Sequence, residues 1–554
     1  MLPSSRLAIF ARVVLLPAGL VLGTIMGLGS YCETSDDVTF AWLFSGVLAL
    51  KPVPSVPLYF HGYGHVLATA YTAAPGMPWL GLLLGALLSL VIILLCAVLD
   101  KLLRPHLRPA AIGVALMVFF IVAGLEHWLW FSHVRVALLL AGAAVLFAAQ
   151  RPGRPAALAL GLAGVGAAWL LRPSAALLGF AAVLPGALVL AGSWRRVAPI
   201  AAGGVLGLAL AAGVASALQT PIEARTQFRD RYFARILDFD QLRPQPHTPA
   251  DSLGTAAISL WLLGDATVVN EELGRRAYQF DAAHFWGREV PAKLWLRAGL
   301  LVRDYFPLLF ALAATAIVVR RRVTGWFWLV QLGFAGALGL CAGLLKLPPR
   351  LALPLLDFWL FTNLAFWLKT IVRVHSAETT MYAGQPRRLF LTRPARLGAA
   401  GALLVLLAYG AKVWHRRQIL GQERSRHEQA LVEISRRTAG RVRVLAGTND
   451  LLKSLSPFRT YRLGPGATLL LSGWSAHDPS QLELRQHLAG TTDQTACLRR
   501  LAESAQATQW LLSAETAQWL NHRFQYRAGP ALVLRPEATL ATDSSLRFYQ
   551  PLLR

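Results

Sequence analysis

The residues best placed to do chemistry form one short polar stretch, Tyr31-Cys32-Glu33-Thr34-Ser35-Asp36-Asp37, directly after a long apolar run. Adjacent carboxylates repel, so Asp36 and Asp37 are expected to share a donor or a cation. A carboxylate held in that way suits a general base or a metal ligand. The plainer role is structural: Ser35 or Asp36 caps a helix over 38–49, and its N-terminal dipole favours acid. Capping accounts for one acid better than for two, and Glu33 is a weaker third candidate.

Beyond the pair, Lys51-Pro52-Val53-Pro54-Ser55-Val56-Pro57 must cross as a stiff, non-helical segment. His61-Gly62-Tyr63-Gly64-His65 then opens a second short helix that ends near Pro78-Trp79. At a spacing of four, His61 and His65 share a helical face. Without the glutamate of an HExxH motif they suit substrate hydroxyls or packing better than zinc. Three cations sit where cations are scarce: Arg172 in Leu171-Arg172-Pro173, and Lys346 and Arg350 in Lys346-Leu347-Pro348-Pro349-Arg350. A guanidinium fork fits phosphate oxygens, and snorkelling to ordinary headgroups is the duller account. Glu126-His127-Trp128 through Arg135 reads mainly as an interfacial belt. Asp357 and Asn363 fall inside an apolar run, where an acid is a functional candidate; a partner such as Arg350 or another helix is the alternative.

These residues need elements to hold them, and composition says what kind. The 554 residues are 55% hydrophobic and 15% charged, with a mean hydropathy of +0.48. Lipid is therefore the solvent for most of the chain. Eleven runs approach the roughly 20 apolar residues a spanning helix needs: 9–30, 79–99, 109–125, 132–149, 155–171, 174–192, 197–217, 304–319, 323–345, 351–368 and 397–413. The first is expected to stay as an uncleaved helix, because Tyr31 is too bulky for a lipoprotein cleavage site before Cys32. The four cysteines, Cys32, Cys96, Cys341 and Cys497, have no metal-binding spacing.

The net charge of +25 is scattered between apolar runs rather than gathered on a soluble face, which argues for topology and against nucleic acid. One set of short connections carries Arg6 and Arg12; Lys101, Arg104 and Arg108; Arg151 and Arg154; Arg195 and Arg196; Arg320, Arg321 and Arg322; and Lys369, Arg373, Arg387, Arg388, Arg393 and Arg396. The opposite set carries only Lys51, Arg135, Arg172, Lys346 and Arg350. Basic residues resist translocation, so the first set and the N-terminus face the cytoplasm. An odd span count then sends the tail to the periplasm of a bacterial inner membrane. Loops 31–78 and 218–303 lie on that same outer side. The chain thus divides into a transmembrane part, 1–413, and a small periplasmic α/β domain, 414–554. In the latter, short strand-like runs at 441–446, 468–472, 510–513 and 531–534 alternate with helical patterns at 481–488 and 515–524. No glycine-rich nucleotide loop or nucleophile elbow occurs there.

The opening span, Ser35-Asp36-Asp37-Val38, the Pro-rich crossing, the segment ending in Pro78-Trp79 and the run Lys346-Leu347-Pro348-Pro349-Arg350-Leu351-Ala352-Leu353-Pro354 together resemble bacterial GT-C-type glycosyltransferases. The resemblance implies a GT-C-like helical membrane fold. It further implies inverting transfer of a sugar from a polyprenyl-phosphate donor to a glycan, lipid or protein acceptor at the outer face of the bilayer. An acid of the first outer loop acts as base or acceptor-orienting group in such enzymes, a place that Asp36 and Asp37 occupy. Glu33, His61, His65, Arg172, Lys346 and Arg350 would line the substrate. No second acidic motif stands out in the long loop, where Asp238, Asp240, Asp265, Glu271 and Glu272 are equal candidates; a divalent cation therefore stays an open option. Two rival classes are a transporter or lipid flippase, built around Asp357 and broken spans, and a non-catalytic envelope-assembly scaffold.

Overall fold

The computed structural model of the protein describes residues 6–319, 325–378, 393–503, 507–526 and 532–553. Arg320, Arg321, Arg322, Arg387 and Arg388 lie outside the described residues, as do the side chains of Arg373, Arg393 and Arg396.

The apolar runs are all helical. Helix α1 spans Arg6–Gly27; α2 (Ser35–Phe44) and α3 (Tyr63–Ala73) lie in the first loop; α4 (Trp79–Leu103) and α5 (Pro109–Leu129) follow. Helices α6 (His133–Ala149) and α7 (Pro155–Leu171) are shorter, at 17 residues each. Helices α8 (Pro173–Ala182) and α9 (Leu184–Ala191) are one run bent by 42°. The bend falls at Val183, where Pro185 leaves no donor to continue the ladder. Next come α10 (Trp194–Leu218), α11 (Pro221–Leu237), α12 (Pro249–Ser259), α13 (Glu271–Ala277), α14 (Ala282–Val319), α15 (Gly325–Leu344), α16 (Pro349–Glu378) and the 45-residue α17 (Arg393–Arg437). By length and hydropathy seven described helices can cross a bilayer, or eight if the bent pair is one span. The two 17-residue apolar helices and the apolar start of α17 occupy the remaining expected segments.

Close packing of this bundle depends on small residues. A Cβ built on Gly179 of α8 would overlap the backbone carbonyl of Leu138 in α6. We therefore expect Gly179→Ala to push these helices apart and cost about 1–3 kcal/mol. Thermal unfolding of the purified variant in detergent measures this, and an unchanged midpoint would contradict the packing described.

The C-terminal region contains a five-stranded mixed sheet in the order β6-β5-β7-β9-β8, built from β5 (Val442–Leu445), β6 (Thr468–Leu470), β7 (Thr508–Ser513), β8 (Leu532–Leu540) and β9 (Asp543–Leu553). The pairs β5–β6 and β5–β7 are parallel, while β7–β9 and β8–β9 are antiparallel. Helices α18 (Pro479–Ala489) and α19 (Gln494–Glu503) make the crossover from β6 to β7, and α20 (Ala514–Tyr526) follows β7. The long loop packs onto this sheet in one hydrophobic cluster that joins Phe233, Leu262 and Leu273 to Trp510, Leu484 and Phe524.

The first loop is held to the same region by backbone. Residues Tyr31–Cys32 (β1) pair in parallel with Trp130–Phe131 (β2), and within the long loop Arg243–Pro244 (β3) pairs antiparallel with Tyr278–Gln279 (β4). The Cys32 amide donates to the Leu455 carbonyl at 2.8 Å, and the Ser454 amide returns a bond to the Cys32 carbonyl at 2.9 Å. Trp42 Nε1 donates to the Tyr461 carbonyl (2.8 Å) and Gln481 Nε2 to the Leu48 carbonyl (2.6 Å). The start of the chain and its tail thus enclose the acidic pair between them.

Candidate active site

Thr34, extended at φ −131°, ψ 161°, precedes α2, so Ser35, Asp36 and Asp37 form its first turn. The helix therefore begins at Ser35 rather than at Val38, and Thr34 rather than Ser35 or Asp36 holds the capping position. Successive residues of a helix project about 100° apart, which separates the two carboxylates. Asp37 is 4% exposed and accepts from the His133 amide at 3.0 Å and from His133 Nδ1 at 2.7 Å. Ser132 starts α6, its hydroxyl accepting from the Val134 amide at 3.3 Å, and this sets His133 and Arg135 in the first turn opposite α2. Asp36 is half-buried, and no protein donor is bonded to it among the described residues.

Asp36 opens instead into a cavity of about 470 Å³ lined also by Tyr59, Asp230, Asp238, Trp261, Lys346, Arg350, Trp474 and Asp478. The first loop, the long loop, the start of α16 and the C-terminal region all contribute to its wall. Lys346 Nζ bonds Asp238 Oδ1 at 2.8 Å. Pro349 occupies the first turn of α16 and directs the Arg350 amide to Glu33 Oε1 at 3.0 Å. No ion pair engages the Arg350 guanidinium among the described residues. Arg172 stacks at 4.6 Å over the Tyr59 ring, and its Nη1 lies 3.3 Å from His133 Nε2. Because Nδ1 of His133 donates to Asp37, the bare Nε2 accepts from Arg172. The chain Asp37–His133–Arg172–Tyr59 therefore ends at the cavity wall. Burial pushes the Tyr59 hydroxyl pKa up, against the pull of the Arg172 guanidinium. Burial likewise raises the Asp478 carboxyl, opposed by hydrogen bonds from Ser480.

Behind the cavity lies a buried ionic network. Arg135 Nε donates to Glu33 Oε2 at 2.8 Å, and its Nη1 lies 3.4 Å from His127 Nδ1. His127 Nε2 lies 2.6 Å from Asp357 Oδ2. With Nδ1 facing a guanidinium, His127 donates from Nε2. Glu126 is held by Lys412 (2.7 Å) and Arg416 (3.0 Å) from α17. Asp357 thus pairs with a histidine of another helix, not with Arg350.

The structure brings Asp36, Lys346 and Arg350 to one cavity, with Glu33, Asp37 and Arg172 tied into networks against its wall. It does not bring the two histidines there. Gly62, at φ +82°, breaks the chain between them, so α3 begins at Tyr63. His61 lies before that helix, stacked 5.2 Å from Trp169, and His65 points out exposed. Burial lowers the His61 pKa. Their expected common helical face does not exist. Tyr59, His133, Arg135, Asp230, Trp261 and Trp474 were not picked out by spacing. The polar residues His127, His133 and Arg135 clustered around one short connection were the available signal. Among the described residues no three His, Cys, Asp or Glu side chains group to hold a metal ion. All four cysteines are free and buried.

No protein-family model matches the chain, and no curated protein matches it in sequence. Among solved structures it is similar to ArnT from Cupriavidus metallidurans in the apo state, with a TM-score of 0.50 at 12% identity over 97% of each chain. The same protein bound to undecaprenyl phosphate matches at a TM-score of 0.49 and 13% identity over 98% of each chain. The apo likeness runs through both the helical bundle and the C-terminal region, so the architecture is an ArnT-like, multi-span helical membrane fold that carries a C-terminal mixed sheet.

Proposed function

We propose that this chain is a membrane glycosyltransferase that moves a sugar from a polyprenyl-phosphate donor to an envelope acceptor, a glycan, lipid or protein. The observation that carries the reading is one cavity shared by Asp36, a carboxylate without a protein donor among the described residues, and two cations, Lys346 and Arg350. The fold agrees with it, since ArnT has the same architecture and has been crystallised with undecaprenyl phosphate.

Asp36 takes the proton of the acceptor hydroxyl as that oxygen bonds to the anomeric carbon. The bond from that carbon to the phosphate oxygen breaks, its electron pair leaving with the lipid phosphate. Arg350 and Lys346 meet the charge on the departing phosphate, and displacement from the opposite face inverts the anomeric centre. Asp37, His133 and Arg172 position Tyr59 and α2, and Glu33 orients the backbone that presents Arg350.

Arg350→Ala should weaken undecaprenyl phosphate binding about ten- to a hundredfold, the effect of removing roughly 1.5–3 kcal/mol of hydrogen bonding to a charged group. Arg350→Lys should recover only part of it, because an ammonium lacks the fork. A transporter would instead work through Asp357. Its pairing with His127 and the apolar walls of the small space around it, about 10 Å³ between Val91, Ile92, Leu95 and Phe361, favour a structural role. Binding measured in nanodiscs separates the two. Full affinity in Arg350→Ala, with loss only in Asp357→Asn, would sink the glycosyltransferase reading. The cavity belongs on the periplasmic face, with the N-terminus cytoplasmic. Alkaline phosphatase fused after Arg554 should accordingly be active, and an inactive fusion would reverse the orientation.

A further inference from the structure

We propose that Trp261 and Trp474 form an aromatic platform in the cavity wall that binds one face of a sugar ring, a hexose or pentose carried by the donor or by the acceptor. The assignment rests on the glycosyltransferase reading and adds a subsite to it. Both indoles are half-buried and line the cavity that Asp36 and Arg350 share. Their ring centroids lie 5.7 Å apart at an interplanar angle of 88°, which makes a corner with one face and one edge.

Neither indole N–H is bonded to protein among the described residues, which leaves both free to donate to a ligand. Trp261 also sits at φ +59°, in the left-handed region that a bulky side chain rarely adopts. Strain of this kind persists where the surrounding structure over-determines it, and it clusters at ligand sites. Here the Trp261 carbonyl accepts from the amides of Leu263 and Gly473, both at 2.9 Å. Gly473, at φ +87°, directly precedes Trp474, so one hydrogen bond ties the long loop to the tail and sets both rings. His477, 6.5 Å away and paired with Asp230 of α11, supports Trp474.

The chemistry fits a sugar better than a lipid tail. An aromatic face covers the C–H side of a pyranose, while Asn449 and Ser475 on the same cavity wall offer partners for its hydroxyls. A lipid tail would need walls without those amide and hydroxyl groups.

The test uses full-length protein in nanodiscs and saturation-transfer NMR with methyl hexopyranosides and methyl pentopyranosides. At least one glycoside should bind wild type, with the strongest transfer to the C–H groups of one ring face. Its affinity should fall at least tenfold in Trp474→Ala and in Trp261→Asn, the latter residue being tolerated at positive φ, and recover in Trp474→Phe. Undecaprenyl phosphate should bind all variants as it binds wild type, which also shows that they are folded. Displacement of the glycoside by undecaprenyl phosphoglucose but not by undecaprenyl phosphate assigns the platform to the donor sugar. Simultaneous binding assigns it to a sugar of the acceptor. Equal glycoside affinity in wild type and Trp474→Ala overturns the platform, as does a wild type that binds undecaprenyl phosphate but no glycoside. Failure of wild type to bind undecaprenyl phosphate counts against the glycosyltransferase reading, and the platform then stands or falls on the glycoside data alone.

Discussion

Asp36→Asn should lower sugar transfer by about 10²–10⁴-fold, the range of a lost general base, while the melting temperature and undecaprenyl phosphate binding stay at wild-type values. Asn keeps the shape of Asp and serves nearly as well near a helix N-terminus, so stability has no reason to change. Among the described residues Asp36 accepts no protein hydrogen bond, so the substitution leaves no donor there unpaired. Asp37→Asn should behave in the opposite way. Its Oδ1 receives both the amide and Nδ1 of His133, so Asn keeps the acceptor but loses the negative charge that strengthens these two buried bonds. The expected result is a loss of roughly 1–3 kcal/mol, read as a lower melting temperature, with transfer falling in proportion to folded protein. If Asp36→Asn transfers sugar at the wild-type rate, the base is another residue.

The largest effect on stability should come from Arg135→Met. Its guanidinium is fully buried between Glu33 and His127, so its removal leaves a buried carboxylate without a counter-charge. Breaking such a pair costs about 3–5 kcal/mol. Glu33→Gln combined with Arg135→Met removes both charges and should restore much of that loss, because the penalty belongs to the unpaired ion. Thermal unfolding of the three variants in detergent measures the coupling. A double variant no more stable than Arg135→Met would mean that the pair itself is not what holds α6 against the first loop.

Much of the fold was legible, since hydropathy depends only on local sequence. The eleven apolar segments are helical, and four of the five strands of the C-terminal sheet coincide with runs read from alternation. Strand β9 has no counterpart among those runs, and it carries Pro551, a residue found mainly where a strand lacks a partner. In the sheet, β7 pairs with β9 only as far as Tyr549, so Pro551 lies past the end of that partner and faces β8 alone. The bend at Val183 and the break at Gly62 depend on a local φ or a proline whose consequence the apolar pattern hides.

The site was legible as residue types and less so as partnerships. The acidic pair stood out at once, but the difference between Asp36 and Asp37 is made by His133, 96 residues away. Asp357 drew attention as an acid within an apolar run, while its partner His127 lies 230 residues earlier. Arg172 stood out as a cation suited to a phosphate or to snorkelling toward headgroups, while its stacking on Tyr59 and its bond to His133 are visible only in the fold. Contacts of that kind are decided by how helices pack, which periodicity alone does not specify.

The central claim is covalent transfer from a lipid phosphate within the Asp36 cavity. It is tested most directly by giving purified protein in nanodiscs isotope-labelled polyprenyl-phosphate sugars extracted from the cells that make it, together with their envelope lipids and glycans. The account predicts that label moves onto an acceptor with one polyprenyl phosphate released per sugar, that Asp36→Asn stops both, and that Asp357→Asn in folded form stops neither. Label that remains on the polyprenyl lipid in wild type, or transfer that survives in Asp36→Asn, would contradict it.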